Sequence, residues 1–140
     1  MFVVLDTNHY REFARASVLG ARLNERLASE HADAFTTIVT VQEVSQGWLA
    51  EINSRKTGRD QLHAYQQFQE AVDGFSNLTI LPFDNDAAEA FHRLQGMKLR
   101  GGTMDQKIAA IAISHDALLL SRNLVDFQDI PGLRVENWLD

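Results

Sequence analysis

Phe2-Val3-Val4-Leu5-Asp6-Thr7-Asn8 is the stretch on which the fold class turns. Four apolar residues in a row, with two β-branched valines at the centre, read as a strand covered on both faces. The acid, hydroxyl and amide that follow sit where that strand would end. In an open parallel α/β sheet, ligands bind beyond the carboxyl ends of the strands. Polar residues at such a place therefore carry more information than polar residues elsewhere.

Working outward, short β-rich runs alternate with helical patterns, the signature of a parallel sheet flanked by helices. Tyr10, Phe13, Ala14, Ser17 and Val18 recur at helical spacing, and Gly20 is expected to break or bend that helix before Leu23 and Leu27 continue a second one. A strand is expected over Thr36–Val39. Val41, Val44, Trp48 and Ile52 mark the helix after it. Thr57-Gly58-Arg59-Asp60 reads as a turn ending in an N-cap, followed by a helix with Tyr65, Phe68, Val72 and Phe75 on one face. Leu78–Leu81 is a short strand closed by Pro82. Asp84 caps a helix bearing Ala87, Ala90, Phe91 and Leu94, with Glu89 and Arg93 spaced for an i,i+4 ion pair. Gly101-Gly102 is a loop, and the helix behind it is apolar all round over Ile108–Ile113, which implies burial. Leu118–Leu120 is a further strand, and Leu133–Val135 a last one at the edge. One α/β domain over residues 1–140, with a central parallel sheet of four to five strands, accounts for the whole pattern.

Composition agrees with this and excludes several alternatives. With 140 residues, 45% hydrophobic and 23% charged, the chain is long enough for one core and too short for two ordinary domains. The absence of cysteine removes disulfides, thiolate metal sites and thiol nucleophiles. No apolar run approaches a membrane span. No basic stretch precedes Phe2–Leu5, so a signal peptide is not expected and a cytoplasmic location is. The formal charge of −6 argues against a protein that simply coats nucleic acid. It does not argue against an enzyme that acts on one.

Four acids fall at the strand ends of this arrangement: Asp6 after the first strand, Glu43 soon after the second, Asp105 opening the buried helix, and Asp126 after Leu118–Leu120. Each has an ordinary structural explanation. Asp6 could cap the first helix. Thr40-Val41-Gln42-Glu43 and Thr103-Met104-Asp105-Gln106 both fit the capping-box pattern, and an acid in a first helical turn complements the helix dipole. Asp126 could be a turn residue. As a set they suggest something else. Like charges brought to one edge require a proton or a cation among them. Hard divalent cations prefer all-oxygen ligands and commonly serve phosphoryl chemistry.

These motifs in this order resemble the PIN-domain family, and within it the VapC-type toxins of bacterial toxin–antitoxin pairs. The resemblance is carried by Val4-Leu5-Asp6-Thr7-Asn8, Thr40-Val41-Gln42-Glu43-Val44, Gly102–Ala112 around Asp105, Leu120–Phe127, and Gly132–Trp138. It implies a parallel sheet sandwiched between helices, and a Mg²⁺- or Mn²⁺-dependent endoribonuclease in which water attacks the phosphodiester, leaving 5′-phosphate and 3′-hydroxyl ends. Carried over, Asp6, Glu43 and Asp105 would hold metal, with Asp126 as the fourth acid. Asn123 occupies a position that is often acidic in relatives, so either it or Asp126 fills the fourth ligand role. Asn8 and Ser121 would orient ligands. A cognate antitoxin and a homodimer are also implied, with the early helices around Phe13, Leu23 and Leu27 as walls of the antitoxin groove.

Among the remaining polar residues, Lys98, Arg100 and Lys107 flank the third acid and Arg122 lies between site candidates. Arg100 and Arg122 are the expected substrate contacts. The five histidines form no metal-binding pair. Two other functions fit parts of the pattern: an aspartyl-phosphate phosphotransferase using Asp6, and a non-catalytic RNA- or protein-binding module whose carboxylates are caps. The first wants an acid two residues after Asp6, where this chain has Asn8.

Overall fold

The computed structural model describes residues 1–140. In chain order the elements are β1 (Phe2–Leu5), α1 (Thr7–Ala14), α2 (Val18–Ser29), β2 (Asp33–Thr37), α3 (Ile38–Asn53), α4 (Gly58–Gly74), a 3₁₀ turn (Phe75–Asn77), β3 (Thr79–Leu81), α5 (Asn85–Gln95), α6 (Thr103–Ser114), β4 (Leu118–Leu120), α7 (Leu124–Phe127) and β5 (Arg134–Glu136). The five strands form one all-parallel sheet in the order β3-β2-β1-β4-β5.

Strand alternation divides the interior into two cores. Val4 of β1 and Leu119 of β4 point into a core filled by α5 and α6, including Ala90, Leu94, Ile108 and Ile111. Val3, Leu5, Leu118 and Leu120 point the other way, against Tyr10, Leu23, Val44 and Phe75. Successive side chains of a strand face opposite sides, so an uninterrupted apolar strand supplies both layers. The result is three layers, helices–sheet–helices. Ile108 to Ala112 are wholly buried, as an all-round apolar helix requires. Fully burying each large aliphatic side chain contributes about 1.5–3 kcal/mol.

Several local expectations are corrected. The second strand is Asp33–Thr37, not Thr36–Val39. Thr37 turns the chain by capping α3, its hydroxyl accepting from the Thr40 N–H at 3.0 Å, so Ile38 and Val39 enter the helix despite their β propensity. Gly20 does not break a helix. The break is at Arg15–Ser17, and Ser17 caps α2 through the Gly20 N–H. Glycine is required at position 20 because a Cβ there would stand 2.2 Å from the Glu12 carbonyl oxygen. The cap of α4 is Thr57 rather than Asp60. The buried side of α4 runs through Ala64 and Ala71 to Phe75, leaving Tyr65 and Val72 about half exposed. The small residues let α1 approach: Tyr10 donates its hydroxyl to the Ala71 carbonyl and stacks on Phe75 with ring centroids 4.0 Å apart. Glu89 and Arg93 form no ion pair. The segment Leu124–Phe127 is a helical turn, and the last strand is shifted to Arg134–Glu136. Leu23 and Leu27 are core residues of α2.

Candidate active site

The strand order locates the site. The chain winds from β1 to β2 to β3 in one direction, then returns to place β4 on the other side of β1. Winding therefore reverses between β1 and β4, where a parallel sheet opens a crevice at its carboxyl edge. Asp6 is the first residue after β1 and Ser121 the first after β4. The Asp6 N–H donates to the Leu120 carbonyl at 3.0 Å, continuing the ladder by one step. The Ser121 hydroxyl donates to Asp6 Oδ2 at 2.7 Å, and the Thr7 N–H donates to Oδ1 at 2.7 Å. Both oxygens of a carboxylate that is only 5% exposed are thereby fixed in direction.

The other acids are delivered by separate elements. Glu43 projects from the second turn of α3, where Thr7 donates its hydroxyl to Oε1 at 3.3 Å. Asp105 lies in the first turn of α6. Asp126 sits on α7, where the Asn123 amide donates to Oδ2 at 2.7 Å, while the Asn123 backbone N–H donates to the Ser121 hydroxyl at 3.0 Å. Gly101 joins the last two. It has φ +86°, and a Cβ there would stand 3.4 Å from the Asp126 Cβ and 3.5 Å from Asp105 Oδ2.

Electrostatics tie the acids into one group. Burial raises the pKa of Asp6, against the hydrogen bonds from Ser121 and Thr7 that favour its ionised form. Glu43 is raised by burial first, then by Asp6 and Asp105; Thr7 and Arg11 oppose the rise. Asp105 is raised by burial first, then by Asp6 and Asp126, with a backbone hydrogen bond from Gly102 opposing. None of the four is in an ion pair. No three of them are grouped closely enough to form a ready-made metal-binding set, and like charges near one another repel unless a proton or cation intervenes. The donors are carboxylates ringed by hydroxyl and amide groups, with no nitrogen or sulfur ligand. That donor set fits a hard divalent cation.

Capping does not explain these positions. Ser17, Thr37, Thr57 and Asp84 cap α2, α3, α4 and α5 by accepting from the N–H three residues on. Among the helix N–H groups, Asp6 accepts only from the adjacent Thr7. Glu43 is too far into α3 to serve its first turn, because the cap is Thr37 and not Thr40. Gly102 occupies the N-cap of α6 with no side-chain bond, so the Thr103 to Gln106 capping box does not form.

The remaining sequence candidates divide. Ser121 and Asn123 are in the hydrogen-bond network; Asn8 is half-buried and donates to none of the acids. Arg122 is held by Asp140 through two contacts of 3.2 and 3.3 Å rather than left open for a substrate. Arg100 is exposed. Lys107 lies over the Phe83 and Phe91 rings, 5.8 and 5.6 Å from their centroids. Sequence reasoning does not single out Thr7, though it bridges Asp6 and Glu43. Its only signal is its place at the first helical position beside a strand-end acid. His9 has a structural task. It is buried, its Nε2 accepts from the Trp138 N–H at 3.1 Å, and burial, then Arg122, lowers its pKa to about 4.

Comparison with known proteins identifies the family of this fold. The PIN domain family model matches residues 3–133. The tRNA(fMet)-specific endonuclease VapC of Salmonella typhimurium is 38% identical over 72 residues, which are 48% of this chain and 54% of that protein. The chain thus matches about half the length of that curated relative. Among solved structures, VapBC2 from Rickettsia felis, bound to a DNA fragment from its promoter, superposes with a TM-score of 0.74 at 25% identity, covering 99% of both chains. A toxin–antitoxin complex from Klebsiella pneumoniae gives a TM-score of 0.64 at 25% identity, covering 94% of each chain. A match across nearly the entire sheet, with the acids at its switch point, leaves one assignment: the chain belongs to the PIN domain family.

Proposed function

We propose that this single-domain protein is a divalent-metal-dependent endoribonuclease of the VapC kind, the toxin of a toxin–antitoxin pair. One observation carries the reading. Acids from four distant segments influence one another electrostatically at the carboxyl edge of the sheet, with burial and neighbouring carboxylates raising the pKa of Glu43 and Asp105. Such a cluster is costly to folding and has no structural task that the ordinary caps do not already perform. Mg²⁺ or Mn²⁺ bound there would supply positive charge for a phosphodiester and lower the pKa of water.

The chain's own residues prepare the site for that ion. Asp6, Glu43 and Asp105 are the proposed ligands, with Asp126 as the fourth acid. Ser121 and the Thr7 N–H hold the Asp6 carboxylate in a single orientation, Thr7 turns Glu43 towards it, and Asn123 turns Asp126. Neighbours of this type preserve ligand geometry, and their loss typically costs 10–100-fold in affinity or activity. Water rather than a side chain attacks, so 5′-phosphate and 3′-hydroxyl ends are expected.

RNA is the proposed substrate and a cognate antitoxin the proposed partner, with a homodimer as the working assembly. Arg100 remains a proposed phosphate contact; Arg122 becomes available only when it leaves Asp140. No helix is long and apolar enough to cross a membrane, and an RNA substrate suits a cytoplasmic location. An RNA-cleavage assay titrated with Mg²⁺ and Mn²⁺ tests the reading. Divalent-dependent cuts with 5′-phosphate ends are expected, and metal-independent binding without cleavage would sink it.

A further inference from the structure

A groove between α1 and α3 leads away from the carboxylates, and arginines line one of its walls. Helical register lays it out. Thr7, Arg11 and Arg15 lie one turn apart along α1 and its C-cap, as do Glu43, Gly47 and Glu51 on α3. The first rung is the Thr7–Glu43 hydrogen bond of 3.3 Å. At the second, Arg11 lies across Gly47, where a Cβ would meet only the Arg11 Nη2, at 3.7 Å. At the third, Arg15 and Glu51 share the groove, and Glu51 is already paired with Arg55 at 2.6 Å. Arg11, Arg15, Gly47, Trp48, Glu51 and His63 line an open cleft of about 400 Å³.

We propose that Arg11, with Arg15 behind it, grips backbone phosphates of the RNA strand beside the scissile one, and that Gly47 keeps this track open. The proposal rests on the ribonuclease reading above. A crevice of four acids in a chain of charge −6 repels a polyanion, so productive approach requires cations at its rim. Arg11 is exposed and in no ion pair, and the planar guanidinium matches phosphate oxygens two at a time. Arg15 is only loosely engaged by Glu12, at 3.7 Å. Glycine is disfavoured within a helix, yet position 47 lies mid-helix with nothing packed on it except the Arg11 head group. Trp48 offers an aromatic face on which a base can stack.

The test is fluorescence anisotropy of a labelled single-stranded RNA titrated with the full chain across a range of KCl concentrations. Asp105→Asn serves as the non-cleaving parent, and steady-state cleavage kinetics are measured in the Asp105 background. Arg11→Gln is expected to weaken binding roughly tenfold or more. It should lower the slope of log affinity against log salt by about 0.7 for each phosphate left without its cation, and raise KM while leaving kcat nearly unchanged. Arg11→Lys should recover the salt slope and part of the affinity, and Gly47→Glu should mimic Arg11→Gln by placing a carboxylate against the guanidinium. Arg93→Gln, on α5, removes the same charge elsewhere and should bind as the parent does. Parent-like affinity and slope in Arg11→Gln overturn the proposal, as does an equal loss in Arg93→Gln. A fall in kcat with RNA binding intact means that Arg11 acts on Glu43 instead, and the proposal falls while the ribonuclease reading stands. Weakened binding of a protein partner alone also overturns it. An unsubstituted chain that neither binds nor cuts RNA with any divalent ion removes the ribonuclease reading and this one together.

Discussion

Asp6 and Asp84 occupy the same place in local sequence grammar. Each is the acid between a strand and the helix that follows, and each is formally the N-cap of that helix. Asp84 sits after β3 at the outer edge of the sheet, is exposed, and accepts from the Ala87 N–H at 3.0 Å as a cap should. Asp6 sits after β1 at the centre, is almost wholly buried, and spends one oxygen on Ser121 from a strand 115 residues away in sequence. Motif does not separate them; position in the strand order does. An acid at the winding reversal meets other acids, whereas an acid at the edge meets its own helix.

That contrast can be tested most severely by activity. Asp6→Asn or Asp105→Asn should reduce RNA cleavage to background in a gel assay, whereas Asp84→Asn should leave it unchanged. A smaller loss, 10–100-fold in activity or in divalent affinity, is expected for Ser121→Ala, which frees the Asp6 carboxylate without removing it. Next, Mg²⁺ or Mn²⁺ should raise the Tm, by an amount equivalent to about 2.7 kcal/mol at a hundredfold excess over Kd. Calorimetry should find no such rise in Asp105→Asn.

Without metal the sign reverses. Burial and repulsion lift the folded-state pKa values of Glu43 and Asp105 above their ordinary 4.5 and 3.8. The folded chain therefore holds these protons more tightly than the unfolded one, and ionising them costs stability as pH rises through the lifted values. Asp105→Asn should be more stable than the parent above about pH 4, the gap widening as pH rises through the lifted pKa of Asp105. The two proteins should converge below that pH, and a thermal-shift series over pH reads the gap directly. Asp84→Ala closes the series, costing about 1 kcal/mol of stability at any such pH through loss of a cap.

The architecture was legible where the pattern was long and pure. Val3–Leu5 and Ile108–Ala112 are the strand and helix buried on every side, while Phe2 is exposed, and the four acids could be listed because strand ends could. What could not be read was set by contacts between distant segments. Thr36 to Val39 has strand propensity throughout, and only the Thr37 cap shows where the strand ends. The choice between Tyr65 and Ala64 as the buried side of α4 depends on how closely Tyr10 approaches. Thr7 gained its role from Glu43, and Arg122 was diverted by Asp140, pairings separated by 36 and 18 residues. Local rules have no access to either.

Gly20 shows how far such distance can reach. With the Glu12 carbonyl pressed against its Cα, any side chain there must pry α2 from the end of α1. The same α1 begins at Thr7, the residue that joins two of the acids. A genetic screen for inactive alleles should therefore return changes at this glycine alongside changes at the carboxylates, and an observer mapping only the crevice would take them for unrelated folding defects.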